Sequence, residues 1–121
     1  MSKDEKTNAE KGAELVNTLF RIDPKDLPFP ERFKRFTIEH LFGDVWQGEA
    51  LETAERSLLT CAILTALGRE AEQLVHFTGA RNLGIPREKV VEMITHVAHY
   101  AGWPVSVSAL RNLNQVWPES D

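Results

Sequence analysis

The chain has 121 residues, a formal net charge of −4 and one cysteine. That length fits one modest hydrophobic core, and a lone thiol excludes an internal disulfide. Lysine and arginine form no tract, which argues against nucleic acid or an anionic membrane as partner.

Residues 1–9 read as a disordered tail, because "MSKDEKTNA" is polar, mixed in charge and unlike a signal peptide. No apolar run approaches the roughly 20 residues a membrane span needs. A cytoplasmic, reduced protein with one helical domain over residues 10–121 is the expectation. Ala13, Val16 and Phe20, with Leu15 and Leu19 beside them, predict an amphipathic helix ending near Arg21. "IDPKDLPFPE" then turns, and Pro30 is placed to open a second helix. Phe33, Phe36, Ile38, His40, Leu41 and Phe42 give that helix a broad apolar side, which Gly43 closes.

Thr53 is an expected N-cap, with Glu55 in the first turn. Residues 54–67 follow as a helix apolar on every side: Leu58, Leu59, Ala62, Ile63, Ala66 and Leu67 fill two faces, Cys61 and Leu64 the third. Such a helix is central or shared with another subunit. Gly68 breaks it, and residues 70–82 form the next, with Ala71, Leu74, Val75 and Phe77 inward. Gly84 and Pro86 separate it from a helix over 87–101, and "AGWP" turns into a last helix carrying Ala109, Leu110, Leu113 and Val116. Nothing alternates as a strand does, so the fold class is all-α, with about six helices.

Two constellations carry chemistry. Glu72 and His76, four apart, share a helical face, where a carboxylate raises a histidine pKa or fixes its tautomer for acid/base work. The same spacing also describes a solvated surface pair. On the following helix Glu92, His96 and Tyr100 share a face bordered by His99, readable as a pocket wall ending at Trp103 or as a solvated side. His76, His96 and His99 lack both HExxH and Cys-rich spacing, so no metal is assigned. Cys61, among Leu, Ala and Ile, reads as a core residue, and Ser57 lacks a nucleophile-elbow context.

The order of motifs says more. "ERSLLTCAILTALGREAEQLVHFTGARNLGIPREKVVEMITHVAHYAGWP" resembles the carboxymuconolactone decarboxylase family, whose pattern runs approximately R-S-L-L-T-x-A-x-L-x-A-L-G-R, E-x-x-x-H, A-x-N-x-G, E-x-x-E and Y-A-G-x-P. The matching positions begin at Arg56, pass through Glu72, His76, Ala80, Asn82, Gly84 and Glu92, and end at Tyr100–Pro104. "KGAELVNTLF" and "FGDVWQGEALE" resemble the family's leading segments, so the likeness spans residues 11–117.

The resemblance implies an alkylhydroperoxidase D-like helical fold assembled as a trimer or hexamer, with pockets near subunit contacts. It also implies a decarboxylase needing no cofactor and acting on a small anionic lactone. By that likeness His76 is the proton donor, Glu72 orients it, Arg56 or Arg81 holds a substrate carboxylate, and His96, Tyr100 and Trp103 line the cavity. The related peroxidase branch carries C-x-x-C at the positions of Arg69 and Glu72 and a glutamate at that of Ser57, so disulfide-based peroxide reduction has no chemical means here. Trp103 and the following "VSVS" depart from the decarboxylase pattern, and Trp103 would reshape the pocket mouth. A member that binds a ligand or scaffolds an oligomer without catalysis is the second reading.

Overall fold

A computed structural model describes residues 5–120. Among them are six α-helices and no strand: α1 (Asn8–Phe20), α2 (Glu31–Arg35), α3 (Thr53–Leu67), α4 (Glu70–Asn82), α5 (Arg87–Ala101) and α6 (Trp103–Val116). The chain groups into two compact units, one ending at Thr53 and one beginning at Ala54.

In the first unit, helix begins at Asn8, inside the tail expected through residue 9, whose first four residues lie outside those described. A capping box fixes the start. The Glu10 N–H donates to Thr7 Oγ1 at 3.1 Å, and the Thr7 N–H donates to the Glu10 carboxylate at 3.3 Å. Arg21, the C-cap, adopts a left-handed φ of 57°, and its N–H donates to the Asn17 carbonyl. The Pro-rich turn then delivers Pro30 as the N-cap of α2.

The second helix departs from expectation. After Arg35 it widens into a π-helix over Phe36–Phe42, with Gly43 at its end. Of its apolar residues only Phe42 is buried, flanked edge-on by Phe20 (5.8 Å) and tilted against Trp46 (5.4 Å). Phe33, Phe36 and Leu41 face outward, with the Arg32 and Arg35 guanidinium groups 5.3 and 5.7 Å from the Phe36 ring centre.

Helix α1 meets this wide segment backbone to backbone. A Cβ on Gly12 would lie 1.8 Å from the Ile38 carbonyl oxygen, and one on Gly43 would lie 2.2 Å from that of Asn8. An exposed helical Gly→Ala change is worth up to about 1 kcal/mol in favour of the helix. Here the sign reverses, because rigid backbone must move. Gly12→Ala is expected to lose at least about 2 kcal/mol in urea unfolding. A midpoint equal to or above wild type would show that the two segments do not touch as described.

The second unit holds α3 to α6. Its core is Cys61, Phe77, Ala80, Ile85, Val90, Ile94, Ala109 and Leu113, with Leu58, Leu83, Met93 and Trp117 packed around them. Gly68 (φ 69°) allows the tight break between α3 and α4. Gly102, at φ 106°, does the same before α6. Helix α3 is not buried on every side. Its buried stripe is Ser57, Cys61 and Thr65, all small, whereas Leu59, Ile63 and Leu67 form an outward stripe on the same spacing. On α4 the inward residues are Gln73, Phe77, Gly79 and Ala80, while Ala71 and Val75 are exposed and Leu74 is half-buried. Among the described residues no helix is long and apolar enough to cross a membrane.

Candidate functional site

Helices α3 and α4 run back along each other, which positions the Glu72–His76 pair. Gln73 Nε2 donates to the Leu64 carbonyl at 3.3 Å, and three residues on, the Cys61 thiol donates to the His76 carbonyl at 3.5 Å. His76 is half-buried and Glu72 exposed. Two opposed influences act on the imidazole. Burial is the larger and lowers its pKa below the ordinary 6.5, while the neighbouring Glu72 charge raises it. The pair is therefore coupled as the spacing suggested, but burial outweighs the carboxylate and the imidazole is neutral at pH 7. Burial also pushes the Cys61 thiol up to about 12, which keeps it protonated and unreactive.

Arg56 is half-buried in the first turns of α3, and its carbonyl accepts a hydrogen bond from Thr60 Oγ1 at 2.8 Å. Ser57 beside it is 1% exposed, and its hydroxyl has no hydrogen-bond partner. Arg81 is committed elsewhere, because its guanidinium donates to the Val116 carbonyl at the end of α6 (3.1 Å). That tie spans from α4 to the end of α6.

The α5 residues form an outward aromatic stripe. His96 stacks on Tyr100 with ring centres 5.0 Å apart, and His99 meets Trp103 edge-on at 5.7 Å. His99 Nδ1 lies 2.8 Å from the Thr95 carbonyl. Tyr100 and Trp103 are 82% and 62% exposed, so within one chain they enclose nothing. No three His, Cys, Asp or Glu side chains converge as a metal site among the described residues.

A separate cleft of about 750 Å³ lies between α5, α6 and the C-terminal segment, lined by Arg87, Glu88, Glu92, Asn114 and Glu119 among others. Arg87 is fixed there by donating to the Trp117 carbonyl (2.7 Å) and Asn114 Oδ1 (2.5 Å). Of the chemistry-bearing residues singled out in the sequence, only Glu92 faces it.

The site is thus a half-buried histidine with an acid one turn away, backed by the small-residue edge of α3. Sequence reasoning set Ser57 aside as a nucleophile and gave it no other role, because its burial and missing partner do not show in the order of residues.

Residues 31–115 match the Carboxymuconolactone decarboxylase family. The chain is 35% identical over 91 residues to 4-carboxymuconolactone decarboxylase of Acinetobacter baylyi, covering 75% of this chain and 68% of that protein. It is 30% identical over 99 residues to a nitrosuccinic acid decarboxylase of Metarhizium robertsii, covering 82% of this chain and 67% of that one.

Proposed function

The chain belongs to the carboxymuconolactone decarboxylase family, and on that premise we propose that it is a cofactor-free carboxy-lyase acting on a small anionic acid. The two similar enzymes are named for 4-carboxymuconolactone and nitrosuccinic acid. Both compounds place a carboxylate where its bonding electrons drain into an acceptor already in the molecule, a lactone carbonyl in one and a nitro group in the other. That shared chemistry defines the substrate class and supplies the electron sink from within the substrate.

The reaction needs little from the protein. The bond to the carboxylate breaks, and carbon dioxide leaves without the electron pair. That pair moves onto the acceptor oxygen, and a proton then adds to carbon. Arg56 holds a second carboxylate of the substrate, bidentately where geometry allows. His76 supplies the proton, with Glu72 favouring its charged form and orienting the ring. A bound substrate anion adds to the pull of Glu72, so the imidazolium is populated in the complex more than in the free protein. Water restores the proton after each turnover.

His96, Tyr100 and Trp103 line this site only if a neighbouring copy brings such a stripe to it, and self-association as a trimer or hexamer belongs to the proposal. The exposed apolar stripe of α3 supports it.

The observation that carries the reading is the half-buried His76, whose backbone carbonyl is tied to Cys61 of α3 and whose imidazole has Glu72 working against its burial. Purified protein is expected to release carbon dioxide from 4-carboxymuconolactone or from nitrosuccinate, measured by coupled bicarbonate assay. Release from neither acid overturns the assignment.

A further inference from the structure

We propose that the Ser57 hydroxyl is a hydrogen-bond donor to the oxygen on which negative charge collects as carbon dioxide leaves. The inference rests on the decarboxylase reading above. Four polar side chains are buried among the described residues: Ser57, Thr65, Gln73 and Ser106. Three are satisfied. Thr65 Oγ1 donates to the Cys61 carbonyl at 2.8 Å, and Ser106 Oγ donates to the Ile94 carbonyl at 2.8 Å. Gln73 donates to the Leu64 carbonyl and accepts from Asn112 Nδ2 at 2.9 Å. Ser57 alone has no partner. Past the first residue of α3, the other hydroxyls, those of Thr60 and Thr65, bond back to a carbonyl four residues earlier, and that of Ser57 does not.

A buried hydroxyl without a partner is a cost to the folded state. Alanine would fill the same space without that cost, so packing gives no reason for a serine. Position gives one. Ser57 is one turn before Cys61 on the edge of α3 that meets α4, and Cys61 touches the His76 carbonyl. Continuing that register brings Ser57 level with Gly79 and Ala80, both buried and both without a polar side chain. The hydroxyl thus sits one turn from the level of His76 and next in sequence to Arg56. Shut away from bulk water, it donates with a strength that competing water would otherwise dilute. The register thus puts the proton source, the anion holder and the dry donor within about one helical turn of one another along α3 and α4. Decarboxylation asks for those three roles, the donor serving the enolate or nitronate oxygen.

The test compares wild type, Ser57→Ala and Ser57→Thr in three measurements: urea unfolding, steady-state carbon dioxide release, and equilibrium binding of 3-nitropropanoate as its nitronate. That ion carries the charge that decarboxylation creates; succinate, which lacks the acceptor, is the control. Ser57→Ala is expected to unfold at no lower urea concentration than wild type. Its kcat falls by about 10²-fold with KM little changed, as for loss of one oxyanion donor. Nitronate binding weakens at least about tenfold, succinate binding stays the same, and Ser57→Thr recovers most of both losses. The proposal is overturned if wild type does not bind the nitronate, or if Ser57→Ala binds it equally well. It is also overturned if Ser57→Ala unfolds early and loses nitronate and succinate alike, since the hydroxyl is then structural. Nitronate binding that depends on Ser57, with no carbon dioxide from any acid, removes the decarboxylase reading and leaves the donor standing. Equal carbon dioxide release by wild type and Ser57→Ala does the reverse.

Discussion

His76→Gln lowers kcat by about 10²- to 10⁴-fold, the range a positioned general acid supplies. KM changes little, because glutamine fills a similar space and the carboxylate grip is assigned to Arg56. The pH profile gives the prediction its edge. Burial holds the His76 pKa below 6.5 in the free protein. If the imidazolium is the acid, kcat/KM for wild type rises as pH falls below 6.5 and levels once the ring is fully charged. The kcat profile makes the same transition at higher pH, because the bound anion favours the charged ring. Glu72→Gln removes a charge that raises the pKa and moves the kcat/KM transition to still lower pH. The His76→Gln profile is flat through this window. Full turnover in a folded His76→Gln protein removes the acid assignment.

The same group leaves a mark on stability, with a definite sign. Well above pH 6.5, by about a unit or more, the ring is neutral in both folded and unfolded chains, and its burial costs nothing in protonation. As pH falls, the unfolded chain takes up the proton first, so folding stability declines until the folded-state pKa is passed. The difference in unfolding free energy between wild type and His76→Gln is therefore level well above pH 6.5 and falls as pH drops through it. The other three histidines are common to both proteins and cancel.

Helix positions were legible in the sequence because caps and breakers act locally. Pro30, Gly68, Gly84 and Pro86 lie where one helix stops or the next starts, and α5 spans the residues its apolar repeat marks out. Burial was less legible, and α3 shows why. When every face is apolar, periodicity carries no phase, so nothing in the order of residues tells which stripe points inward. Tertiary packing decides: Ser57, Cys61 and Thr65 turn inward, where Cys61 meets α4, and the larger Leu59, Ile63 and Leu67 are left outside. The widened turns over Phe36–Phe42 have no sequence signature of their own. They lie where the backbone of Gly12 seats closely on the Ile38 carbonyl. Of the site, the Glu72–His76 coupling was readable from spacing, but not that burial would outweigh it. The tie from Arg81 to Val116 crosses 35 residues and was invisible to any local pattern.

The second large effect concerns that outward stripe. Leu59, Ile63 and Leu67 are 51%, 49% and 64% exposed, and Val75 on α4 adds another 49%. Helix α3 turns Ser57, Cys61 and Thr65 inward and leaves Leu59, Ile63 and Leu67 as a second, outward face, which on the proposed self-association a neighbouring copy covers. Covering half-exposed side chains of this size is worth about 1 kcal/mol each, so such stripes on two copies supply about 8 kcal/mol toward the cost of association. A glutamate placed in the middle of such a contact must be desolvated without a partner, which costs several kcal/mol in each copy and offsets what the stripe gains. Wild type is therefore expected to have the mass of a trimer or hexamer by light scattering, and Ile63→Glu that of a monomer with its helical circular dichroism intact. If Tyr100, His96 and Trp103 serve the site from a neighbouring copy, Ile63→Glu also loses most of its carbon dioxide release, although no residue assigned to the chemistry has been touched. A monomeric wild type, or an Ile63→Glu protein of unchanged mass, removes the interface. Intact turnover in a monomeric Ile63→Glu protein removes the shared wall and leaves the chemistry to a single chain.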